Sequence, residues 1–584
     1  MTPNFEYVHP ELLNSLKTVQ VSDLDTNDLK KLAKEIRSKL LFDQKLSGFL
    51  GSCLGIVELT IALHKVFNLN KDHLFFDIGH QTLPHRYLEE AKGRPYIDDH
   101  IKSFVHKKPG QVLSEATASV IHRDLFQYSY EIVTIIGDRS LSSGQAFEAL
   151  NHLGAIASKK IIIINDNLDE NKNLVNGLSL YLNHLQPNHH HFEQHALFES
   201  LGFNYIGPID GHNFDILLET LSYIKNYKEQ TPIILHVKTK KGKGYTPAEI
   251  DSDGLNGALS FDIQSGRTLV KKVKTSTHYA AEMLIELAHK DPHVVVVTLQ
   301  TPHLQFPFLA FRDLYPDRYF EVSVTERHAI AFSKALALNG LKPYLILNSA
   351  FISQLSDDLM YDISLQKPNL KIIIDHADIR HTGNPFVLKK YITGHLIDFK
   401  NFCIDFPYFV EDIEKSIVTS FNDIKNPHLI YLPKTHSTYG DDKIVLNETK
   451  PFKLLRKGNE KFALFAYGEI VEYALKLADL LNANGFSTTV YQVTSLEPFD
   501  FDGFIEIAKH IPYIFSLEED GLGFLQKKIF SILNDQSMMN TKLFYKSLWI
   551  KNKDKAIFNP LPFLKEIRNA IQNKPYDEDF ISVA

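Results

Sequence analysis

The stretch EIVTIIGDRSLSSGQAFEALNHLGAIASKKIIIINDN, residues 131–167, holds two short apolar runs with a segment of helical spacing between them. The first run ends in Gly-Asp and the second in Asn-Asp-Asn. Apolar, β-branched runs of this length, joined by a helix-sized connection, are typical of a strand–helix–strand unit with parallel strands. The stretch therefore predicts a parallel sheet whose carboxyl edge carries oxygen-rich side chains.

The same alternation of strand-like and helical patterns continues along the chain, which indicates an α/β protein. Further strand-like runs are PIILHVKTK, HVVVVTL, RYFEVSV, KPYLILN, LKIIIDH, HLIYLPK, KFALFAYG, STTVYQV and YIFSLEE, and helical patterns include VTERHAIAFSKALALNG and GEIVEYALKLADLLNANGF. Polar segments at 251–274 and 435–453 separate three such series. We predict three α/β domains with mainly parallel sheets, at residues 1–273, 274–445 and 446–584.

Length and composition fit a globular protein of several domains. The 584 residues correspond to three or four units at about 150 residues per domain. Hydrophobic residues make up 44% and charged residues 23% of the chain, and the net charge is −7. This charge gives no electrostatic reason to expect nucleic acid or an anionic membrane as a partner.

Cysteine use and the N-terminus indicate a cytoplasmic protein. Cys53 and Cys403 lack Cys-x-x-Cys spacing, which argues against a disulfide framework or a structural zinc site. The start, MTPNFEYVHPELLNSLK, has no apolar core of a signal peptide. No stretch reaches the ~18 uninterrupted apolar residues of a membrane span. The histidines of HHHFEQH (189–195) invite a zinc interpretation, but a solvated loop is favoured because adjacent histidines impose no geometry.

Asp138 and Asn167 stand at the ends of the two runs in the opening stretch. A carboxylate and a carboxamide at one sheet edge, with a backbone carbonyl, suit octahedral Mg²⁺ bridging a diphosphate. The alternative is that Asp138 caps a helix and Asn-Asp-Asn forms a turn. Spacing alone leaves both interpretations open.

Several long motifs in the same order resemble the 1-deoxy-D-xylulose-5-phosphate synthase group of the transketolase family. They are LGIVELTIALHKVFN, FFDIGHQTLPHR, GQAFEALNHLG, SLGFNYIGPIDGHN, VKTKKGKGYTPAE, YPDRYFEVSVTERHAIAFSKALALNGLKP and EPFDFDGFIEIAKHIPYIFSLEEDGLG. The resemblance implies a transketolase-like fold with a diphosphate-binding, a pyrimidine-binding and a C-terminal domain. It also implies a homodimer that uses thiamine diphosphate and Mg²⁺.

The resemblance assigns roles to individual residues. It implies Mg²⁺ ligation by Asp138 and Asn167, with the backbone of Asp169 as a possible third protein ligand. The implied cofactor contacts are His80, Asp138, Arg139, Asn167, Tyr245, Glu326 and Phe351. Glu326 matches the essential glutamate, whose carboxyl group faces N1′ of the aminopyrimidine and shares its proton. Taken alone, Glu326 would be an acid favoured in a first helical turn, and Phe351 would equally fit a core position.

Other positions depart from the pattern of these relatives. Arg139 stands where they have glycine, and histidines of their site are replaced by Phe49 and Asn256. On the acceptor side, where relatives hold a phosphate with arginines, the changed positions are His376, Gly383, Val387, Gln354, Ser356 and Lys434. His376 and Lys434 are the expected substrate contacts in this altered pocket.

The sequence thus predicts a divergent thiamine diphosphate-dependent transferase. It would decarboxylate pyruvate or another 2-oxo acid and ligate the two-carbon unit to an aldehyde, with altered acceptor specificity. The alternative is a catalytically silent homologue that acts as a binding or regulatory protein. Both remain open because Asp138, Asn167 and Glu326 persist while several neighbouring motif residues do not.

Overall fold

The structure is a computed structural model of the whole chain. It describes residues 7–43, 50–77, 79–94, 103–105, 109–167, 176–185, 196–251, 255, 261–267, 274–299, 305–323, 325–349, 352, 355–375, 401–433, 452–459, 461–519, 523–533, 544–550 and 560–572. The chain forms two compact units. The first comprises 1–272 with 323–325 and 383–387, and the second comprises 273–322, 326–382 and 388–584. The predicted division into three domains stays a prediction.

The first unit is built on a six-stranded sheet. Its strands are β1 (His73–Phe76), β2 (Ser103–Val105), β3 (Ile132–Gly137), β4 (Lys160–Asp166), β5 (Asn204–Asp210) and β6 (Pro232–Lys238). The order is β2-β1-β3-β4-β6-β5, and every neighbouring pair is parallel. The opening stretch of the sequence therefore forms the predicted strand–helix–strand unit at the centre of this sheet.

Helices cover both faces of the six-stranded sheet. They are Glu11–Ser15, Thr26–Phe42, Leu50–Gly55, Val57–Val66, Leu83–Ala91, Gln111–Leu125, Asp138–Leu141, Gly144–Gly154, Gly177–His184, Ala196–Ser200, Phe214–Asn226 and Thr246–Ile250, with short 3-10 turns at Val21–Asp23 and Gly79–Thr82. Alternate residues of β4 supply two core layers, Ile162 and Ile164 on one face and Ile161 and Ile163 on the other. Burial on both faces explains why the strand reads as an uninterrupted apolar run.

The second unit contains two sheets. Its strands are β7 (Val294–Leu299), β8 (Tyr319–Val322), β9 (Lys342–Asn348), β10 (Lys371–Asp375), β11 (Cys403–Asp405), β12 (His428–Tyr431), β13 (Phe452–Arg456), β14 (Phe462–Ala466), β15 (Thr488–Val493), β16 (Ser495–Glu497), β17 (Tyr513–Glu519) and β18 (Phe544–Ile550). One sheet has the order β16-β11-β12-β10-β9-β7-β8 and the other β13-β15-β14-β17-β18. All pairs are parallel except β11 with β16 and β13 with β15.

The helices of the second unit lie between these strands in the chain. They are Ser276–Lys290, Leu309–Leu314, Glu326–Leu338, Val410–Asn422, Ile470–Ala483, Phe501–His510, Phe524–Leu533 and Leu561–Gln572, with 3-10 turns at Phe306–Phe308 and Pro316–Arg318 and a π-helix at Asp358–Ser364. The eleven strand-like runs of the sequence each contain one of the observed strands, so that prediction is confirmed. The α/β class with mainly parallel sheets is confirmed as well.

Candidate active site

Asp138 lies at the carboxyl end of β3 and begins the short helix Asp138–Leu141. Parallel pairing with β4 places Gly137 opposite Asn165, so the two strands end side by side. The Asp138 side chain is only 4% exposed. The sequence prediction that these oxygen-rich strand ends meet is therefore confirmed. Open parallel sheets bind their ligands at this carboxyl edge.

The Asp138 carboxyl group is in an environment that opposes its ionisation. Burial raises the pKa of Asp138, the charge of Asp166 raises it further, and the cations Arg139 and Lys241 lower it. Oδ2 is buried and has no hydrogen-bond partner among the residues that the structure describes. A divalent cation at this atom would supply the missing partner and offset the repulsion between the two carboxylates.

Asn167 follows β4 directly and is half-buried. Of the proposed metal ligands, Asp138 and Asn167 are thus carried by adjacent strand ends, while Asp169 lies outside the described residues. Thr239, just after β6, fixes this end of β4. Its Oγ1 donates to Asn165 Oδ1 at 2.7 Å and its amide donates to the Asp166 carbonyl at 2.8 Å.

A buried hydrogen-bonded chain supports the same strand end. His236 of β6 is fully buried, and its Nε2 lies 3.0 Å from Asp166 Oδ2. If Nε2 donates to this carboxylate, the neutral ring accepts at Nδ1 from the Tyr205 hydroxyl, 2.6 Å away. Gly207 has φ +115, and a Cβ there would lie 2.4 Å from the His236 carbonyl oxygen. Glycine therefore permits the close approach of β5 to β6 beside these hydrogen-bonded side chains.

Asp77 lies just after β1 and contributes a further buried carboxyl group at this end of the sheet. Its Oδ1 accepts from the Gly110 amide at 2.8 Å. Burial raises the pKa of Asp77 to about 6, although bonds from Ser140 and Gly110 oppose the shift. The backbone of His80 lies in the turn Gly79–Thr82, and its side chain is outside what the structure describes. The cofactor contact of His80 stays a prediction.

Arg139 follows the buried aspartate in the short helix that begins at Asp138, and it is half-buried. Its guanidinium lowers the pKa of Asp138, so its charge acts on the proposed metal ligand. Its carbonyl oxygen accepts from Ser142 Oγ at 2.7 Å, which fixes the turn into the following helix. A fixed cation at this position can pair with a diphosphate or occupy its space.

Tyr245 is buried in the core around the helix Thr26–Phe42. Its hydroxyl donates to the Ile263 carbonyl at 2.7 Å, and its ring centroid lies 6.2 Å from that of Phe261. Burial raises the pKa of Tyr245 to about 12. The hydroxyl is therefore a neutral donor held by the backbone. The contact of Tyr245 with the cofactor stays a prediction.

Glu326, in the second unit, is the first residue of the helix Glu326–Leu338. Its Oε1 is buried without a hydrogen-bond partner in the described part of the chain. Burial raises the pKa of Glu326, against a hydrogen bond from its own backbone amide. A first-turn acid that only served the helix dipole would point to solvent and ionise readily. Glu326 instead suits sharing a proton with a nitrogen base.

Several predicted site residues lie outside the described residues. They are Phe351, His376 and Lys434, together with the departing positions Phe49, Asn256, Gln354, Gly383 and Val387. Their roles stay predictions.

Two buried groups of the site region, Asp166 and His236, were not predicted from the sequence. A polar residue inside an apolar strand, as in IILHV, is the signal that would have found His236.

Comparisons with known proteins identify the family. The family model described as 1-deoxy-D-xylulose-5-phosphate synthase matches residues 13–95, 98–195 and 188–239. A 1-deoxy-D-xylulose-5-phosphate synthase of Natranaerobius thermophilus is 30% identical over 569 residues, which covers 87% of this chain and 89% of that protein. The chain belongs to the 1-deoxy-D-xylulose-5-phosphate synthase family.

Further matches extend over the rest of the chain. The transketolase pyrimidine-binding domain model matches residues 272–383 and the transketolase C-terminal domain model matches 452–548. The synthase of Caldanaerobacter subterraneus is also 30% identical, over 88% of this chain and 90% of its own. The crystal structure of transketolase from Campylobacter jejuni is 16% identical, with a TM-score of 0.40 over 97% of this chain and 100% of that one.

Members of the 1-deoxy-D-xylulose-5-phosphate synthase family are transferases of the transketolase type that use thiamine diphosphate with Mg²⁺. The residues of this chain fit that requirement. Asp138 offers a buried carboxyl oxygen without a partner at the sheet edge, and Glu326 offers a buried carboxyl group of raised pKa. Among the described residues, no helix has the length and apolar character needed to cross a bilayer.

Proposed function

We propose that the protein is a divergent thiamine diphosphate-dependent transferase that decarboxylates pyruvate or another 2-oxo acid. The two-carbon unit is ligated to an aldehyde, and the acceptor site differs from that of the relatives. The observation that carries the proposal is Asp138, whose buried Oδ2 has no partner among the described residues and lies where β3 and β4 end together. A buried carboxyl oxygen left without a partner costs roughly 1–3 kcal/mol. A bound cation offsets this cost.

In this proposal the first unit holds the metal and the diphosphate. Asp138 and Asn167 bind Mg²⁺, and Asp169 supplies a backbone carbonyl. His80 and Tyr245 contact the cofactor, and Phe351 stacks on its pyrimidine. Arg139 pairs with the diphosphate through its guanidinium, which suits phosphate oxygens better than an ammonium does. This replaces the close backbone approach that glycine permits in the relatives.

Glu326 is the proposed catalytic residue. Its carboxyl group holds a proton at the N1′ side of the aminopyrimidine, and burial raises its pKa, which favours the protonated form. Thiamine diphosphate, when bound, supplies the electron sink for the loss of CO₂. The C–C bond of the 2-oxo acid breaks, and a new C–C bond forms to the aldehyde carbon, whose oxygen takes up a proton.

The acceptor is the part of the reaction where this chain is proposed to differ most. His376 and Lys434 stand where relatives hold a phosphate with arginine, and Gln354 replaces a third. A charge-assisted contact contributes ~1.5–3 kcal/mol, so the loss of even one weakens binding by about tenfold or more. We therefore propose an aldehyde with a smaller or differently placed anionic group.

The proposal includes the wider organisation of the protein. Residues 1–273 form the diphosphate domain, 274–445 the pyrimidine domain and 446–584 the transketolase C-terminal domain. The family models at 13–239, 272–383 and 452–548 support these boundaries. A homodimer in the cytoplasm completes the proposal.

Calorimetric titration with thiamine diphosphate and Mg²⁺, followed by deuterium exchange at C2 of the bound cofactor, tests the enzyme proposal. We expect wild-type exchange to be fast and Glu326→Gln to slow it by at least a hundredfold, with cofactor affinity kept within about tenfold. Glu411→Gln is the matched control, because Glu411 is also a first-turn acid but is exposed. Exchange in wild type as slow as in Glu326→Gln would refute the catalytic role.

A catalytically silent binding protein is the second candidate. The cation of Arg139 beside Asp138 favours it, because that cation already lowers the pKa of the proposed metal ligand. The two candidates differ in CO₂ release from pyruvate, measured with and without added aldehydes. Cofactor binding without C2 exchange or CO₂ release would support the silent protein. Full dependence on glyceraldehyde 3-phosphate, with an affinity equal to that of a relative, would refute the altered acceptor site.

A further inference from the structure

A cluster of cysteine, aspartate, histidine and lysine lies at the amino ends of three adjacent strands of the seven-stranded sheet. Cys403 begins β11 and is paired in register with His428, which begins β12. Lys371 begins β10 and is paired in register with the same histidine. In-register neighbours of a parallel sheet project to the same face, so the three side chains lie side by side. Asp423, just after the helix Val410–Asn422, completes the cluster.

Two of the three separations among the ligand-type atoms of this cluster match a tetrahedral metal site. Asp423 Oδ2 lies 3.2 Å from His428 Nε2 and 3.7 Å from Cys403 Sγ. One ligand atom from each residue lies within 4.8 Å of the other two. Tetrahedral Zn²⁺, with Zn–N and Zn–O near ~2.0 Å and Zn–S near ~2.3 Å, requires N–O and S–O separations of about 3.3 and 3.5 Å. The two measured separations are within a few tenths of an ångström of these values.

We propose that Cys403, Asp423 and His428 bind Zn²⁺, with water in the fourth position. Thiolate, imidazole and carboxylate are the three ligand types that zinc takes in proteins. The site joins β11, β12 and the end of the helix Val410–Asn422, at the amino edge of the sheet. Parallel sheets bind their ligands at the carboxyl edge, so this site lies at the other end of the strands.

The ligands are already held in place by other hydrogen bonds. Asp423 Oδ1 accepts from the Lys425 and Asn426 amides at 2.9 and 3.3 Å, and Asn426 Nδ2 donates to Oδ2 at 3.0 Å. Outer bonds of this kind orient metal-binding carboxylates. The side chain of Asp423 is 25% exposed and that of His428 is 3% exposed, which leaves a route for water on the aspartate side.

Zinc binding should release a proton from Cys403. Its Sγ donates to Asp423 Oδ2 at 3.7 Å, which is the bond of a thiol. Zinc takes cysteine as the thiolate, and the ordinary pKa of a cysteine, ~8.5, keeps most of it protonated at pH 7. Binding therefore converts one S–H bond into one Zn–S bond and releases one proton to solvent.

The positive charge of Lys371 should repel a Zn²⁺ ion at this site. This side chain is buried, and burial together with Lys342 lowers its pKa to about 7. Removal of this charge in Lys371→Met should tighten zinc binding. The cluster of His64, His85 and Glu89 has similar spacing but carries no such proposal. Lys92 Nζ already lies 2.8 Å from His64 Nδ1 and 2.9 Å from Glu89 Oε1.

The test is calorimetric titration of the reduced, full-length protein with Zn²⁺ at pH 7 in two buffers of different ionisation enthalpy. We expect one tight site and about one proton released per ion. Cys403→Ser and Asp423→Asn should each weaken binding at least a hundredfold, since even the loss of an outer-shell partner costs 10–100-fold. The matched control replaces His189, His190, His191 and His195 by glutamine and should leave this site unchanged.

Co²⁺ provides a readout on the unmodified protein. It should give a thiolate-to-cobalt charge-transfer band and the intense visible bands of tetrahedral coordination. The proposal is overturned if zinc binding survives in Cys403→Ser, disappears in the four-histidine variant, or releases no proton. Absence of the thiolate band in wild type overturns it independently of how well any variant folds.

Discussion

The buried chain Tyr205–His236–Asp166 should control the strength of the metal site without touching the metal. His236→Leu replaces the ring by an apolar side chain of similar volume, so the loss is mainly of hydrogen bonds. The bond to the Asp166 carboxylate at 3.0 Å contributes ~1.5–3 kcal/mol and the bond from Tyr205 at 2.6 Å contributes ~0.5–1.5 kcal/mol. The expected loss is therefore about 2–4.5 kcal/mol, concentrated where β4, β5 and β6 meet.

Hydrogen exchange followed by mass spectrometry measures this loss locally. Exchange protection of peptides from β4 and β6 should fall by roughly 30- to 1,600-fold, the range that corresponds to 2–4.5 kcal/mol. A peptide from β17, in the second unit, is the internal control and should change little. Affinity for thiamine diphosphate with Mg²⁺ should fall about 10–100-fold, because Asp166 precedes Asn167 directly. Unchanged protection in β4, or an equal fall in β17, would refute the reasoning.

Three further predictions concern the first unit. Glu58 accepts from Arg37 at 2.6 Å and from His212 at 3.1 Å; burial opposes its ionisation, but these partners lower its pKa from 4.5 to about 2. Ionised Glu58 contributes about 3 kcal/mol to the free energy of unfolding above pH 4.5, and this contribution is lost as pH falls toward 2. In urea unfolding, the stability of Glu58→Gln should therefore approach that of wild type at low pH. Burial lowers the pKa of Lys160 to about 7, and its Nζ donates to the Leu153 carbonyl at 2.7 Å. Because the unfolded chain keeps this proton up to its ordinary pKa of 10.5, Lys160 should add about 1.4 kcal/mol per pH unit to the rise in stability between pH 8 and 10, and Lys160→Met should lower that slope by this amount in the same assay. Gly110 has φ +82, and a Cβ would lie 2.4 Å from Ser143 Oγ. Gly110→Ala should lower the melting temperature more than Gly93→Ala, where φ is +78 but the space is open; equal shifts would contradict the steric argument.

The sequence predicts best what depends on neighbours in the chain. The apolar run before Asp138 and the run before Asn167 each form a strand because both faces of the sheet are buried, and the crossover between them is a helix. Parallel pairing then brings the two strand ends to one edge without further information. This is why the meeting of the two strand ends could be predicted from one short stretch, whereas the metal-binding role of Asp138 and Asn167 required the family resemblance.

The remaining groups come together only through the order of the strands. Asp166 meets His236 because β6 rather than β5 pairs with β4, and Tyr205 meets His236 because β5 lies outside β6. Nothing in local periodicity specifies that exchange of neighbours. The same reason applies to Cys403 and His428, which lie 25 positions apart in the chain and become partners through register. The spacing of the cysteines could not reveal this cluster, because Cys403 and His428 are far apart in the sequence and meet only in the folded sheet.

The charges around Asp138 indicate how an arginine at position 139 affects the binding of Mg²⁺ and of a diphosphate. A glycine at this position would leave the carboxylates of Asp138 and Asp166 to be neutralised by Lys241 and the metal. The arginine supplies part of that positive charge permanently, because it lowers the pKa of Asp138 with no metal present. The same charge weakens the attraction of Asp138 for Mg²⁺ and strengthens the attraction of the site for a diphosphate. We therefore expect a cofactor site to persist with arginine in place of glycine. In this chain Arg139 should attract the diphosphate directly, while Mg²⁺ should contribute less to its binding. Diphosphate binding should therefore depend less on Mg²⁺ here than in a protein with glycine at this position.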